Sequence, residues 1–222
     1  MEEPYKLLVE GKSDSAVIRH LMMRHGYNWD VTTAPRAKVK DVHLAGQSSG
    51  GGVENLLSAL GSHLKDRGTQ RLGIVVDADG SVADRWRSIC KRVTQFGLNL
   101  PTQPDPLGTV VPGLFPESQL GIWLMPDNLQ PGELEHFLLG LIPEEDPCKA
   151  FASEVAEEAR KKYDGQRCTP GDHVKSHIHT WLAWQLKPGL PFGTALNDKQ
   201  VLRHDSQTAL AFKDWFLKLF PM

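Results

Sequence analysis

The stretch Tyr5–Gly11, YKLLVEG, is a short apolar run that delivers a carboxylate, Glu10, and then a glycine into a turn. A run of this length, rich in Leu and Val and bounded by turn residues, fits a buried strand of a mostly parallel sheet. Leu72–Val76 has the same character and ends in Asp77-Ala78-Asp79-Gly80. Acids gathered at strand ends repel one another unless a cation sits among them. Mg²⁺ or Mn²⁺, hard ions that take oxygen ligands, are the simplest candidates.

Between and beyond these strands the sequence alternates turns with helical periodicity. After Gly11, Ser13 or Asp14 is expected to cap a helix with Val17, Ile18, Leu21 and Met22 on one face, closed by Gly26. Val39–Leu44 predicts another strand, with Arg36, Lys38 and Lys40 beside it. The segment Gly46–Gly52, GQSSGGG, precedes a helix carrying Leu56, Leu57, Leu60 and Leu64. It lacks the Lys-Ser/Thr ending of a P-loop and the G-x-G-x-x-G of a dinucleotide fold, so it reads as a flexible loop before it reads as a phosphate cradle.

Past Asp79 a helix turns Val82, Trp86, Ile89, Val93 and Phe96 inward and carries Arg85, Arg87, Lys91 and Arg92 on its other surface. That surface is either a solvated face or an electrostatic landing for phosphates. The proline-rich span Pro101–Pro116 suits a long loop or an edge hairpin. Gly121–Met125 is a further central strand, followed by Asp127 and by a helix with Glu133, Leu134, Glu135, Phe137 and Leu138. Strand, acid, helix thus recurs three times.

From Pro143 no strand pattern remains, and helical spacing recurs at Phe151/Val155/Ala159, at Val174/Ile178/Trp181/Leu182, and at Leu210, Trp215 and Leu217 after Ser206. The expected organisation is an α/β domain over 1–142 with a helical C-terminal extension over 143–222 packed on it. His173 and His177 are four apart but lack the H-E-x-x-H glutamate, so a zinc helix is not indicated; Trp181, Trp184 and Trp215 read as packing residues.

Composition bounds the function classes. The 222 residues, 40% hydrophobic, suffice for a substantial core, and no apolar run approaches a membrane span. The expected location is cytoplasmic, with no membrane partner. Cys90, Cys148 and Cys168 form no disulfide or zinc pattern. A formal net charge of −2 argues against a chain that coats nucleic acid by charge alone.

Val9-Glu10-Gly11 after a first strand, with Val76-Asp77-Ala78-Asp79-Gly80 after a later one, resembles the Toprim (topoisomerase–primase) domain. With Met125-Pro126-Asp127-Asn128 and Gly132-Glu133-Leu134-Glu135, the chain is similar to small stand-alone Toprim-like proteins related to the overcoming-lysogenisation-defect nucleases. The resemblance implies a Rossmann-like sheet of about four parallel strands and a Mg²⁺ or Mn²⁺ site for phosphodiester chemistry on DNA or RNA. It also implies Glu10, Asp77 and Asp79 as catalytic and metal-binding residues, with Asp127 and Glu135 as further metal ligands. Gly11, Lys12 and Arg85 are the substrate-binding candidates. No tyrosine stands where a topoisomerase nucleophile would, so hydrolysis is the expected chemistry. The alternative is a non-catalytic module that binds metal, nucleotide, a protein partner or a second copy of the chain.

Overall fold

The computed structural model describes residues 5–27, 39–44, 52–162, 173–198 and 201–221. Most of the glycine-rich segment, with Arg36, Lys38, Tyr163 and Cys168, lies outside the described residues. The elements in chain order are β1 (Tyr5–Val9), α1 (Lys12–Arg24), β2 (Val39–Leu44), α2 (Val53–Lys65), β3 (Arg71–Asp77) and α3 (Val82–Thr94). They are followed by β4 (Thr109–Pro112), β5 (Gln119–Met125), α4 (Leu134–Leu139), α5 (Pro147–Lys162), α6 (His173–Ala183), α7 (Phe192–Asn197) and α8 (Gln207–Leu219).

The sheet has five strands in the order β2-β1-β3-β5-β4. The expected four strands, β2, β1, β3 and β5, run parallel, and β4 pairs antiparallel with β5 at the edge. The sheet is therefore mixed rather than wholly parallel, because the proline-rich span forms one arm of an edge hairpin. Pro112 closes β4 on that edge, where a missing N–H does least harm.

Side-chain alternation sorts the strands onto two apolar faces. Leu8, Ile74, Val76, Ile122 and Leu124 pack with Leu56, Leu57 and Leu60 of α2 and with Trp86, Ile89 and Val93 of α3. Leu7, Val9, Val75, Trp123 and Met125 face the other way, into a cluster built from α1, α4 and the helices beyond residue 143. The C-terminal helices share this core with the sheet. Two glycines make room for them: Gly73 and Gly121 lie side by side in register, and Leu219 at the end of α8 fills the trough above them. A Cβ at Gly73 would come to 2.6 Å from Leu7 Cδ1 and 3.1 Å from Leu219 Cδ2, and one at Gly121 would collide with Leu219 outright.

Two helical stripes differ from expectation. In α5 the buried residues are Ala152 and Ala156, while Phe151 is 55% exposed and stacks on Trp184. In α8 they are Ala209, Phe212, Trp215, Phe216 and Leu219, with Leu210 exposed. In both helices small alanines face the core and a larger apolar residue stands next to them. The Ser206 cap is as expected, its hydroxyl accepting from the Ala209 N–H at 3.3 Å. Among the described residues no helix is long and apolar enough to cross a membrane.

Candidate functional site

The chain leaves β1 toward β2 on one side and returns through α2 to β3 on the other, so the carboxyl ends of β1 and β3 bound the crevice where the strand order reverses. Glu10 and Asp77 stand at that crevice. Glu10 Oε1 accepts from the Asp77 backbone N–H at 2.9 Å, and the backbone at Val53, the first residue of α2, also favours its charged form. One carboxylate thus ties the turn after β1 to the end of β3.

Asp77 is the last residue of β3, and its Oδ1 accepts from the Leu134 N–H at 3.0 Å, at the start of α4. Burial pushes its carboxyl up to about 8, and Asp14, Glu10, Glu135 and Asp79 push the same way by repulsion. The Glu10 carboxyl is also raised, by burial first, against the lowering effect of its hydrogen bond from Asp77 and of the Arg85 charge. Five acids therefore share one electrostatic neighbourhood.

The fifth acid, Asp14, was expected only as a cap. The N-cap of α1 is instead Gly11, in extended conformation, and Asp14 sits in the first turn at 8% exposure. Its carboxyl is raised to about 7, by burial first and by repulsion from Glu10 and Glu135, against the lowering effect of hydrogen bonds from its own and the Gly11 backbone. The signal was in the sequence: Asp14 precedes Val17, Ile18, Leu21 and Met22 by three, four, seven and eight residues, which puts it on the buried stripe.

Asp79 behaves differently. Extended backbone ends at Asp77, and Asp79 takes φ +51, so the alternation that would have set the two aspartates on one side does not apply. Its N–H donates to Gly132 O at 2.9 Å, its side chain is 59% exposed, and its Oδ2 pairs with Arg85 Nη2. Arg85 Nε donates at 2.7 Å to the Asp77 carbonyl, and the arginine side chain is only 11% exposed. Arg85 is thus a clamp across the Asp77–Asp79 turn.

The remaining candidates are dispersed around this centre. Asp127 Oδ1 accepts from the N–H groups of Leu129 and Gln130, at 3.0 and 2.8 Å, and shapes the turn after β5. Glu133 is the N-cap of α4, in a capping box with His136, and pairs with Lys175 at 3.1 Å. Gly11 lies at the head of α1 beside Asp14, and Lys12 follows it, exposed. His177 contacts Lys149 O at 3.1 Å and His179 stacks on Phe192, so both rings are engaged by the fold itself.

As a donor set the acids suit a hard divalent cation, since every ligand offered is a carboxylate oxygen. Their present arrangement is less ready. One oxygen of Glu10 and one of Asp77 accept backbone hydrogen bonds, Asp79 is held by Arg85, and among the described residues no three His, Cys, Asp or Glu side chains are grouped to hold one ion. A 500 Å³ pocket opens at the Asp79–Arg85 pair, bounded also by Ser81, Asp84 and Ser88. A groove of 710 Å³ lies between α3 and the proline-rich loop, walled by Trp86, Cys90, Pro104 and Leu129.

Comparison with known proteins adds a family. No curated protein and no solved structure matches the chain. One family model, described as a protein of unknown function, matches residues 4–221, which takes in the sheet and the C-terminal helices together. The chain belongs to this family, DUF3226.

Proposed function

We propose that the protein is a Toprim-like module that takes a divalent cation, Mg²⁺ or Mn²⁺, at the acids of the β1–β3 crevice. The observation that carries this reading is the meeting of Glu10 and Asp77 at the carboxyl ends of adjacent parallel strands, where Glu10 Oε1 accepts from the Asp77 N–H at 2.9 Å, with burial and the neighbouring acids Asp14, Glu135 and Asp79 raising the Asp77 carboxyl. Protons relieve such a group at low pH, and a cation would relieve it at high pH. Glu10 and Asp77 would hold the ion, with Asp14 and Glu135 adding negative charge around it. When bound, it would neutralise charge on a phosphoryl group and acidify a coordinated water.

Manganese titration followed by the electron paramagnetic resonance of the free ion tests the reading. Wild-type protein is expected to bind Mn²⁺, and Asp77→Asn to weaken that binding about tenfold or more. Absence of binding, or equal binding by the variant, overturns it.

A second reading, a Toprim-type nuclease, is favoured by the order of the acids: Glu10 after β1 and Asp77-x-Asp79 after the adjacent β3. It is tested by incubation with Mg²⁺ or Mn²⁺ and single-stranded DNA, duplex DNA or structured RNA. Cleavage lost in both Glu10→Gln and Asp77→Asn supports the enzyme. Bound metal with no turnover of any substrate leaves the module, with the C-terminal helices as its surface for a nucleic-acid or protein partner.

A further inference from the structure

The 710 Å³ groove between α3 and the proline-rich loop is a second place where chemistry could occur, and none of the crevice acids lines it. Val82, Trp86 and Cys90, four residues apart along α3, make one apolar wall. Leu100 and the rings of Pro101, Pro104 and Pro106 make the other, with Leu129 at the rim, 57% exposed. Both ends of the loop are tied down: Trp86 Nε1 donates to Pro101 O at 3.0 Å, and Asn128 Nδ2 to Pro106 O at 3.5 Å. The groove is therefore formed before any ligand arrives, and its volume is that of a small-molecule site.

Charge at this groove has one sign. Arg87 is the charged side chain on its walls, and among the described residues no acid lines it. The acids of the adjoining turns are engaged elsewhere: Asp105 Oδ1 accepts from the Leu107 N–H at 2.9 Å, and Asp127 Oδ1 from the N–H groups of Leu129 and Gln130. Asp84 pairs with Arg87 along the helix, but the two side chains are 69% and 74% exposed, and a pair so open to water holds its members weakly. One turn further on, Lys91 is exposed, and among the described residues no acid pairs with it. Arg87 and Lys91 are like charges at i and i+4, which repel; an anion between them relieves both.

We propose that the groove binds a small amphipathic carboxylate, its apolar body lying between Trp86, Cys90 and the prolines and its acid group between Arg87 and Lys91 at the rim. The apolar walls supply affinity through the area they cover, and the two cations supply the preference for a negative head group. Arginine suits this role, since its planar fork matches both oxygens of a carboxylate. The inference stands apart from the cation reading and survives its failure.

The test titrates the whole 222-residue chain by calorimetry with octanoate, octan-1-ol and octylammonium, one alkyl body under three head groups. Wild type is expected to bind octanoate about fivefold more tightly than octan-1-ol, and octylammonium most weakly. Arg87→Gln combined with Lys91→Gln should bring octanoate down to the level of octan-1-ol. Ala83→Trp, at an exposed position on the wall, fills the groove and should weaken octanoate and octan-1-ol alike. Octanoate is also expected to slow alkylation of Cys90 by iodoacetamide in wild type, read by mass spectrometry, and this decides the location should Ala83→Trp fail to fold. Absence of octanoate binding, or octanoate bound no more tightly than octan-1-ol, overturns the proposal. So does full binding by a folded Ala83→Trp. A wild type that dimerises in sedimentation while Ala83→Trp stays monomeric would put a second copy of the chain in the groove, and overturns it as well.

Discussion

At pH 8 without divalent cation, the wild-type protein is expected to be less stable toward urea than at pH 5.5 by roughly 5 kcal/mol, about 3 from Asp77 and about 2 from Asp14, and Asp77→Asn to remove the larger share. The sign follows from the direction of the shifts. Asp77 and Asp14 are raised from ordinary carboxylate values to about 8 and about 7, so the folded protein holds protons there that the unfolded chain releases. Such a group contributes its full stability below the unfolded pKa, near 4, and loses it as pH climbs to the folded value. One extra proton held across that window is a slope of about 1.4 kcal/mol per pH unit. His25 and His177 work in the opposite direction, because burial lowers them and the folded state loses stability as they charge at low pH. They are common to wild type and variant and cancel in the comparison. Asparagine can still accept the Leu134 hydrogen bond, so the variant tests charge rather than shape. Added Mn²⁺ is expected to restore wild-type stability at pH 8 and not that of Asp77→Asn. Equal pH slopes in the two proteins would show that Asp77 does not hold the proton.

Gly121→Val is expected to destabilise the fold by about 3 kcal/mol, read as a lower urea midpoint. Strand propensity alone predicts the opposite sign, since Val is favoured and Gly disfavoured inside a strand. Packing decides here: a side chain at 121 has no space beneath Leu219, and a Cβ alone would stand 3.1 Å from Leu219 Cγ. The rearrangement must come from α8, whose end is fully buried. Leu219→Ala introduced into Gly121→Val should therefore recover part of the loss, although in the wild-type background it opens a cavity and costs stability. Strictly additive effects would mean that the two positions are not coupled, and that the trough is not what the glycines are for.

Much of this architecture can be read from one-dimensional patterns, and the exceptions have physical reasons. Strands β1, β3 and β5 announce themselves as apolar runs followed by acids, and α2 and α3 as leucine- and tryptophan-bearing stripes, because burial on both sides of a sheet leaves little choice of residue. The stripes of α5 and α8 differ from their spacing at Phe151 and Leu210, because alanine is a weak apolar signal beside a larger residue, while Trp215 is buried as its spacing predicts. Glu10 and Asp77 meet at the crevice, as expected from acids at the ends of neighbouring parallel strands. Asp79 could not be placed by counting residues, because the alternation stops where the turn begins. Asp14 was legible by the same periodicity that gave α1, but an acid after a glycine is read first as a cap. Arg85 joined the acids through a turn of helix and a loop conformation, which no spacing rule reports.

The seating of Leu219 and Phe220 also bears on how the chain reaches this state. Leu7 stands near the beginning of the sequence and Leu219 near its end, yet both adjoin Gly73 in the finished molecule, as does Phe220. Sealing the β1–β3–β5 layer on this side therefore joins segments some two hundred residues apart in the chain, a closure of high sequence separation whose entropy must be met before its packing rewards it.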